Sequence, residues 1–388
     1  MKKFVLGKSG LSVVRKILIG MALVVTVIIV VAIIIICLMK RRCCQILRIP
    51  LYQETNPDIE HFLLNNKSQA PRRYKYSQIK KMTKSFSDML GQGGYGSVYK
   101  GMLPDGQFVV VKLLTETKGN GENFINEVAS ISKTSHVNIV NLLGFCYDTN
   151  KRALVYEFMS NKSLDKFIST NSDCQLDCKT LYKIAVGVAR GLEYLHKGCN
   201  ARIVHFDIKP QNILLDEEFC PKISDFGLAK LYKKKQSILS MAETRGTVGY
   251  IAPEVFSRNF GGVSHKSDVY SYGIMILEMA GAQNNVGIGS SQSGENDFID
   301  KIYEQVILHE TENMDAIASD QDEEKAIGKM FSVGFWCIQT VPSQRPSMSK
   351  VVEMLEGSLK SIQIPPKPFL FTPTTPLEPN SDLFPPVL

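Results

Sequence analysis

The longest apolar stretch of the chain lies near its beginning. Residues 17–39 carry no charged side chain and consist almost wholly of Val, Ile, Leu and other apolar residues; the stretch ends at the basic residues 40–42. As an α-helix these 23 residues span about 35 Å, enough to cross a hydrocarbon core about 30 Å thick. The pattern predicts a single transmembrane helix over residues 17–39 with a stop-transfer end. A long uncleaved signal sequence is the alternative.

The basic residues that flank this stretch do not determine its orientation. Residues 1–16 contain five Lys or Arg and residues 40–48 contain four, a difference too small for a positive-inside count to decide. A segment of 16 residues is too short to fold alone. Residues 1–16 are therefore not expected to form a domain by themselves.

A polar, basic juxtamembrane linker is predicted after the helix. Residues 40–84 hold 11 Lys or Arg against three Asp or Glu, so they could bind anionic membrane lipid. A solvated linker whose charges only set the topology is the alternative. Cys43 and Cys44 lie just beyond the helix and are either palmitoylation sites or unmodified thiols.

From residue 85 to residue 357 the pattern predicts one globular unit. Short runs of β-branched and aromatic residues at 97–99, 108–111 and 153–156 predict strands. Apolar residues then recur at helical spacing before Gly198, at Leu181, Ile184, Ala185, Val188, Leu192 and Leu195. A strand-rich first part and a helix-rich second part predict an α+β fold with two lobes.

Residues 358–388 have the composition of a tail. Eight of the 17 prolines fall within residues 361–388, which favours extended backbone that is largely unpaired. Pro365 and Pro368 fit a minimal Pro-x-x-Pro docking pattern. Because so short a match arises easily by chance, a plain tail is the favoured interpretation.

Composition and charge narrow the class of protein. The 388 residues are 44% hydrophobic and 21% charged, which excludes a disordered chain. The net charge of +7 is uneven, with +13 on residues 1–84 and −6 on residues 85–388. The globular unit is therefore not basic, and nucleic acid is not an expected partner. The nine cysteines lack the spacing of an extracellular disulfide framework, which favours the reducing side of the membrane.

A glycine-rich segment opens the globular unit. It comprises Gly91, Gln92, Gly93, Gly94, Tyr95 and Gly96. Dinucleotide-binding folds and kinases share this glycine spacing, but in the former it opens a helix. Here a β-type run that contains Val98 follows, and then a Pro-Asp-Gly turn and another strand. The order predicts a hairpin whose backbone can approach phosphate groups.

Two charged residues follow the hairpin. Lys112 ends an apolar strand, where an ammonium group needs a specific reason to be present. Glu127 is the expected counter-charge, on a helix with one face marked by Phe124, Val128 and Ile131. The pair predicts contact with nucleotide phosphates. Either residue alone would also fit an ordinary surface position.

Three later motifs decide among the classes. Residues 203–215 (IVHFDIKPQNILL), 222–227 (KISDFG) and 246–254 (GTVGYIAPE) resemble the catalytic loop, the DFG motif and the end of the activation segment of protein kinases. Asp268 and Arg345 stand where kinases place a structural Asp and its helical Arg partner. The resemblance implies the two-lobed protein kinase fold.

The resemblance further implies phosphoryl transfer from ATP with Mg²⁺. Asp207 would accept or orient the proton of the substrate hydroxyl, and Lys209 would neutralise the transferring phosphoryl group. Asn212 and Asp225 would offer oxygen ligands to Mg²⁺. The implied ATP-binding residues are Gly91, Gln92, Gly93, Gly94, Tyr95, Gly96, Val98, Val110, Lys112, Glu127, Tyr156, Glu157 and Met159.

Within that set the resemblance distinguishes several roles. Lys112 would grip the α- and β-phosphates while Glu127 holds its ammonium group. Tyr156 would be the gatekeeper residue, and Glu157 and Met159 would lie on the hinge that meets adenine.

The substrate class also follows from the resemblance. Lys209 and Thr247 are typical of Ser/Thr kinases, so the hydroxyls of protein Ser and Thr residues are the expected acceptors, with a tyrosine-specific kinase as a distant alternative. The activation-segment hydroxyls available for phosphorylation are Ser237, Ser240, Thr244 and Thr247.

At finer grain the chain resembles plant receptor-like kinases of the leaf-rust-resistance type. Residues 76–83, 204–212, 335–340 and 345–348 carry this likeness. Such proteins have an extracellular domain, one membrane helix and a cytosolic Ser/Thr kinase. The resemblance implies a plasma-membrane protein with residues 40–388 in the cytosol, and with co-receptor or kinase partners. Because only 16 residues precede the predicted membrane helix, it further implies either a receptor that senses through partner proteins or a truncated form that has lost an extracellular domain.

Two departures from the kinase pattern matter. Phe206 stands where many kinases carry the Arg that pairs with a phosphorylated activation loop, as in non-RD kinases. Val110 stands where Ala is commoner, and its extra methyl carbons would crowd adenine. The alternative to an enzyme is a kinase-fold scaffold with little turnover, against which the complete set of charged catalytic residues argues.

Overall fold

The computed structural model describes part of the chain. The described residues are 21, 71–93, 96–114, 122–132, 134–148, 151–168, 175–199, 201–232, 246–283, 303 and 321–368. Apart from Met21, the predicted membrane span 17–39 lies outside them, as do Cys43 and Cys44. Among the described residues no helix is long and apolar enough to cross a membrane. The contacts divide the chain after Leu64, and all described residues other than Met21 belong to the unit Asn65–Leu388.

The regular elements of the described residues are numbered here in chain order. The strands are β1 Arg72–Arg73, β2 Met89–Gly93, β3 Gly96–Met102, β4 Phe108–Leu114, β5 Leu142–Asp148, β6 Lys151–Glu157, β7 Arg202–Val204, β8 Ile213–Leu215, β9 Pro221–Ile223 and β10 Lys230–Tyr232. The helices are α1 Tyr76–Met82, α2 Glu122–Ile131, α3 Asp165–Ile168, α4 Cys178–Glu193, α5 Pro253–Phe256, α6 Lys266–Gln283, α7 Gln321–Cys337 and α8 Met348–Glu356. Six of these ten strands precede α3 and five of the eight helices follow it, which agrees with the strand-rich first part and helix-rich second part that the hydrophobic pattern predicts.

The first lobe is built on a six-stranded sheet in the order β1-β5-β6-β4-β3-β2. Only the β1–β5 pair is parallel within this sheet. Burial alternates along the start of β4, where Val109 and Val111 are fully buried and Val110 is only partly buried. This alternation places Lys112 on the same face as Val110, away from the core.

The end of the predicted linker is part of this lobe. Residues 71–84 form β1 and α1, and Tyr74, Ile79 and Met82 are buried in one cluster with Val109 and Val111. The interpretation of residues 40–84 as linker is therefore wrong for its last 14 residues. The helical pattern of α1 is hard to detect in the sequence because the helix is short and basic residues separate its buried apolar residues.

The second lobe is organised around α4. The six apolar residues predicted to share one helical face are all buried, with at most 1% exposure. Asp177 caps the helix, because its side chain accepts a hydrogen bond from the Thr180 N–H at 3.1 Å. The helix ends in a π-helical turn, Tyr194–Gly198, so the predicted stop at Gly198 is confirmed.

A buried ion pair joins distant parts of this lobe. Arg345 and Glu254 are fully buried and form two parallel hydrogen bonds of 2.8 and 2.7 Å. The remaining guanidinium N–H groups donate to the backbone carbonyls of Gln339, Lys266 and Thr340. All five donors of the guanidinium are thereby used.

This pairing corrects the expected partnership of Arg345 with Asp268. The carboxylate that pairs with the Arg345 guanidinium belongs to Glu254, at the start of α5. Arg345 itself follows a single 3₁₀ turn, Pro342–Gln344, rather than lying within an α-helix. Asp268 has other partners, described with the candidate site.

The first part of the predicted tail is also ordered against the lobe. Pro365 and Pro368 are buried, and Trp336 and Gln339 donate hydrogen bonds to the backbone of residues 363 and 366. Residues 363–368 have no helix or strand hydrogen bonding, in line with the expected backbone, but their carbonyls accept hydrogen bonds from side chains of the lobe.

Replacing Arg345 with Met should destabilise the protein by about 3–5 kcal/mol, because the buried Glu254 carboxylate loses its counter-charge. The matched control is Arg190→Met, which removes an ion pair with Glu356 whose partners are 56% and 43% exposed. That pair should contribute less than about 1 kcal/mol. Urea unfolding of both variants measures the difference, and equal losses would contradict the assigned importance of Arg345.

Candidate active site

One ammonium group joins three separate segments of the chain. Lys112 lies on β4, Glu127 on α2, and Asp225 directly before the 3₁₀ turn Phe226–Leu228. The Nζ atom of Lys112 is 3.1 Å from both carboxylate oxygens of Glu127. It is also 2.7 Å from Oδ1 of Asp225. The predicted Lys112–Glu127 pair is present, and Asp225 belongs to the same cluster.

The protonation of this cluster follows from burial and charge together. Burial disfavours the charged form of Lys112, but the carboxylates of Glu127 and Asp225 outweigh it and raise the pKa of Lys112 above its usual range. Burial, followed by the nearby Asp225, raises the pKa of Glu127 despite Lys112. Burial acts in the same direction on Asp225, but Lys112 outweighs it and lowers the pKa of that carboxyl.

The helix that carries Glu127 is fixed by packing. Phe124, Val128 and Ile131 are at most 2% exposed, so the predicted apolar face of α2 is confirmed. Phe124 packs edge-on against Phe145 of β5, with ring centroids 6.1 Å apart. This contact helps to fix α2 in the position where Glu127 reaches Lys112.

Tyr156 adds a contact that the sequence reading missed. Its hydroxyl donates a short hydrogen bond to Oε1 of Glu127. Burial and the neighbouring Glu127 carboxylate hold the pKa of Tyr156 well above its usual range, so the hydroxyl remains a donor. Tyr156 pairs with Val110 across β4 and β6, and both side chains therefore line one edge of the site.

The predicted hinge residues continue from the end of β6. Glu157 accepts a hydrogen bond from the Asn141 N–H at 2.8 Å and lies 3.4 Å from the ammonium of Lys222. Met159 is buried, with 8% exposure. Glu157 is therefore held by both lobes at the crossing point of the chain.

The glycine-rich hairpin is present where the sequence predicts it. Strands β2 and β3 are antiparallel, with Gly93 opposite Gly96 and Gln92 opposite Ser97. Gly96 has φ of +142°, and a Cβ atom there would lie 2.1 Å from the Leu113 carbonyl oxygen. Only glycine fits this position.

The other hairpin residues have more open surroundings. A Cβ atom on Gly91 or Gly93 would meet nothing within 4 Å. Val98 pairs with Lys112 across β3 and β4, which places the hairpin over the ammonium group. Gly94 and Tyr95 lie outside the described residues.

A second polar cluster surrounds Asp207 in the loop between β7 and β8. Lys209 Nζ is 2.9 Å from Oδ2 of Asp207. Asn212 donates from its side-chain amide to the carbonyl oxygen and Oδ2 of Asp207, at 2.8 and 2.9 Å. Thr247 Oγ1 donates to Oδ1 of Asp207 at 2.6 Å and accepts from Lys209 at 2.7 Å. The structure thus brings Asp207, Lys209 and Asn212 together as predicted.

Thr247 has a role in this cluster that differs from its expected exposure as a phosphorylation site. Its hydroxyl is already engaged by Asp207 and Lys209. The other activation-segment hydroxyls, Ser237, Ser240 and Thr244, lie outside the described residues.

Asp268 holds the Asp207 loop in place. Its fully buried carboxylate accepts from the backbone N–H groups of His205 and Phe206 at 2.9 and 2.8 Å, and is 2.9 Å from Nε2 of His196. Burial alone would raise the pKa of Asp268, but these hydrogen bonds outweigh it and lower that pKa. Sequence reasoning missed this function because it paired Asp268 with Arg345.

The backbone at Phe206 explains why such an anchor is needed. Phe206 has φ of +64°, a left-handed conformation that costs a bulky residue about 1–3 kcal/mol. The two backbone hydrogen bonds that the Asp268 carboxylate accepts offset this strain. Phe206 is also 6% exposed, so apolar burial adds to them.

His205 links the Asp207 loop to the Asp225 segment. Its Nε2 atom lies 3.0 Å from the Ser224 carbonyl oxygen, and its ring packs edge-on against Phe226 with centroids 4.8 Å apart. The two polar clusters are therefore connected by direct contacts rather than by the sheet alone.

Comparison with known proteins now identifies the class. The protein kinase domain family model matches residues 85–355. The chain belongs to the protein kinase family. Members of this family use ATP and a divalent metal. In this kinase, the Asn212 side-chain carbonyl and the Asp225 carboxylate are the hard oxygen donors that suit such a cation.

The kinase has close relatives in Arabidopsis thaliana. It is 58% identical to PR5-like receptor kinase over 305 residues, which are 78% of this chain and 46% of the relative. It is 53% identical to leaf rust 10 disease-resistance locus receptor-like protein kinase-like 2.8 over 340 residues, or 84% of this chain and 38% of the relative. For the protein named -like 2.3 the identity is 58% over 304 residues, with 78% and 48% covered.

These relatives confirm the resemblance to the leaf-rust-resistance type. The chain spans less than half the length of each of these three curated relatives. A receptor function, which the names of these relatives state for them, is therefore only a proposal for this chain.

Replacing Tyr156 with Phe should move the acidic limb of kcat/KM for ATP to higher pH. The hydroxyl stabilises charged Glu127, so its loss raises the pKa of Glu127 further, and protonation then removes the partner of Lys112 at a higher pH. The lost hydrogen bond is worth about 1 kcal/mol, a several-fold fall in kcat/KM at neutral pH. The control is Tyr182→Phe, whose hydroxyl bonds the Leu355 carbonyl in the second lobe. Identical acidic limbs in the two variants would refute the role of Tyr156.

Proposed function

We propose that the chain is a membrane-anchored Ser/Thr protein kinase that transfers the γ-phosphate of ATP to protein Ser or Thr hydroxyls in receptor-type signalling. The observation that carries this proposal is the assembly of both halves of a phosphoryl-transfer site. Lys112, Glu127 and Asp225 form one half. Asp207 and Lys209 form the other.

The first half is suited to the nucleotide. Lys112 is held in its charged form, so it can bind the α- and β-phosphates without taking up a proton. Asp225 and Asn212 would hold Mg²⁺, which supplies charge neutralisation for the phosphates when it is bound. Val110 and Tyr156 line the edge where adenine would enter, with Glu157 and Met159 following at the hinge.

The second half is suited to a hydroxyl acceptor. Asp207 Oδ1 already accepts a hydrogen bond from the hydroxyl of Thr247, and a substrate hydroxyl requires the same type of acceptor before it attacks. Lys209 lies within 2.9 Å of Asp207, where its charge can neutralise the transferring group. The Lys209–Thr247 contact supports Ser/Thr rather than Tyr specificity.

Phe206 supports activation that does not depend on a phosphorylated activation loop. It offers no positive charge to a phosphate, and Asp268 holds the backbone of the loop instead. A basal kinase activity controlled by association with partners, such as a co-receptor, fits this arrangement.

The sequence supports the membrane anchor and its orientation. Residues 17–39 are long and apolar enough to span a bilayer, and the relatives are named as receptor kinases. Because ATP is cytosolic, we place residues 40–388 inside the cell at the plasma membrane. Basic residues after the helix would contact anionic lipid, and Cys43 and Cys44 would be available for palmitoylation.

The rival function is a signalling scaffold that keeps the kinase fold but has little turnover. Such a scaffold does not require charged Lys112 beside Asp225, nor Asp207 beside Lys209. Both contacts leave charges partly desolvated, a cost that catalysis would explain.

Autophosphorylation of the full chain with Mg·ATP should fall at least about 100-fold in Lys112→Met and in Asp207→Asn, since each removes a charge that acts in the transition state. Lys350→Met is the matched control, because Lys350 lies on α8, where its ammonium group pairs with the exposed Glu353. Phosphoamino-acid analysis should find phosphoserine and phosphothreonine. Equal incorporation in the native chain and both site variants would favour the scaffold, and phosphotyrosine alone would favour a tyrosine kinase.

Deleting residues 17–39 should move the protein from the membrane pellet to the supernatant after ultracentrifugation of cell lysates. The control is Cys43→Ser/Cys44→Ser in the otherwise native chain, which should stay in the pellet because a spanning helix needs no lipid anchor. Retention of the deletion variant in the pellet, with release only when both cysteines are also replaced, would show that lipidation is the anchor.

A further inference from the structure

The segment after α8 lies against α7 in a regular way. Residues 363–368, named here the proline segment, have no helix or strand hydrogen bonding. Ile362 is half-buried, Pro365 and Pro368 are buried, and the residues between them are exposed. Burial thus recurs at every third residue. Three residues per turn is the period of a polyproline II helix.

The sequence of the segment favours the same conformation. Pro365, Pro366 and Pro368 have φ fixed near −65° by the ring. Ile364 and Lys367 each precede a proline, which disfavours the α region for them. Every residue from 364 to 368 is therefore restrained toward an extended conformation before it contacts the lobe, which lowers the entropy lost on docking.

The facing surface supplies the donors that a polyproline II helix lacks. Trp336 Nε1 donates to the Gln363 carbonyl at 2.8 Å. The Tyr303 hydroxyl donates to the Pro365 carbonyl at 2.9 Å, and Gln339 Nε2 donates to the Pro366 carbonyl at 2.9 Å. Because a polyproline II backbone has no internal hydrogen bonds, its carbonyls are free to accept from such side chains.

The donors are themselves held in position. Gln339 is 4% exposed, and its amide nitrogen also donates to the Phe335 carbonyl at 2.9 Å. Removal of the segment would leave one buried N–H of Gln339 without its acceptor, at a cost in stability. The Tyr303 ring packs edge-on against Phe335, with centroids 5.2 Å apart and planes at 88°. Aromatic rings with outward N–H and O–H donors are the usual means of binding proline-rich peptides.

We propose that Tyr303, Trp336 and Gln339 form a polyproline II binding site whose ligand is the chain's own proline segment. The site recognises two prolines three residues apart together with the carbonyls between and before them. The Pro-x-x-Pro segment is therefore an intramolecular ligand. While it is bound to this site, it is not accessible to other proline-binding proteins.

Trp336 is the only tryptophan of the chain, so its fluorescence reports on this site. In the full chain carrying Pro365→Ala and Pro368→Ala, purified in detergent, the emission should move to longer wavelength and acrylamide quenching should increase. A synthetic peptide of residues 361–368 should reverse both changes saturably. In the native chain a dye-labelled copy of the peptide, followed by fluorescence anisotropy, should bind only above about 1 mM, because the tethered segment has an effective concentration of that order.

The controls separate recognition from loss of folding. A peptide with both prolines replaced by Ala should not restore the emission. Tyr303→Phe in the native chain keeps the ring contact with Phe335 but removes one donor to the segment, so the undocked fraction of the segment should rise roughly five- to tenfold, and acrylamide quenching of Trp336 should increase with it. This mild variant tests the proposal even if the double variant unfolds, which circular dichroism would reveal.

Three results would overturn the proposal. The first is unchanged Trp336 emission in a folded double variant. The second is equal restoration of the Trp336 emission by the alanine peptide, which would mean that the site does not recognise the prolines. The third is a native emission that changes on dilution, which would assign the bound segment to a second copy of the chain.

Discussion

The buried ammonium of Lys112 is the interaction on which the arrangement of the site depends. Burial acts to lower the pKa of Lys112, and the carboxylates of Glu127 and Asp225 outweigh burial and raise that pKa. Removing one member of such a buried group costs several kcal/mol, because the remaining charges are left uncompensated. The helix α2 and the Asp225 segment must therefore sit where they do for Lys112 to be stable. The positions of α2 and the Asp225 segment and the charge of Lys112 thus depend on each other through the contacts of one atom, Lys112 Nζ.

The same principle recurs elsewhere in this kinase. Glu127, Glu254 and Asp268 are each at most 1% exposed, and each is satisfied by donors that are remote in sequence. Glu254 holds the segment around Arg345, and Asp268 holds the strained backbone at Phe206. Loops without regular hydrogen bonding thus gain a fixed conformation from a buried carboxylate. Because an unpaired buried carboxylate is costly, these contacts specify one arrangement rather than several.

Features that depend on residues close together in the sequence were predicted, whereas contacts between residues far apart in the sequence were not. The periodic apolar residues of α4 and the apolar face of α2 follow from local repeats, and the pairing of Lys112 with Glu127 follows from a motif. The partner of Arg345 does not, because Glu254 is 91 residues away in sequence and Asp268 was an equally reasonable carboxylate. The Tyr156 contact with Glu127 was missed for the same reason. A short amphipathic helix such as α1 and a docked tail also escape detection, since their partners lie on other elements.

The folding of residues 71–84 changes the interpretation of the basic charge of residues 40–84. Six of the 11 Lys or Arg of residues 40–84 lie in this stretch, and all six side chains are exposed on or next to β1 and α1. A flexible linker would spread its charges over many conformations, whereas these are held at fixed spacing by the buried Tyr74, Ile79 and Met82. Attraction to an anionic surface, at about 1 kcal/mol per residue, would thus act on the kinase domain as a body. The charge that the sequence assigns to a tether belongs largely to the surface of the domain.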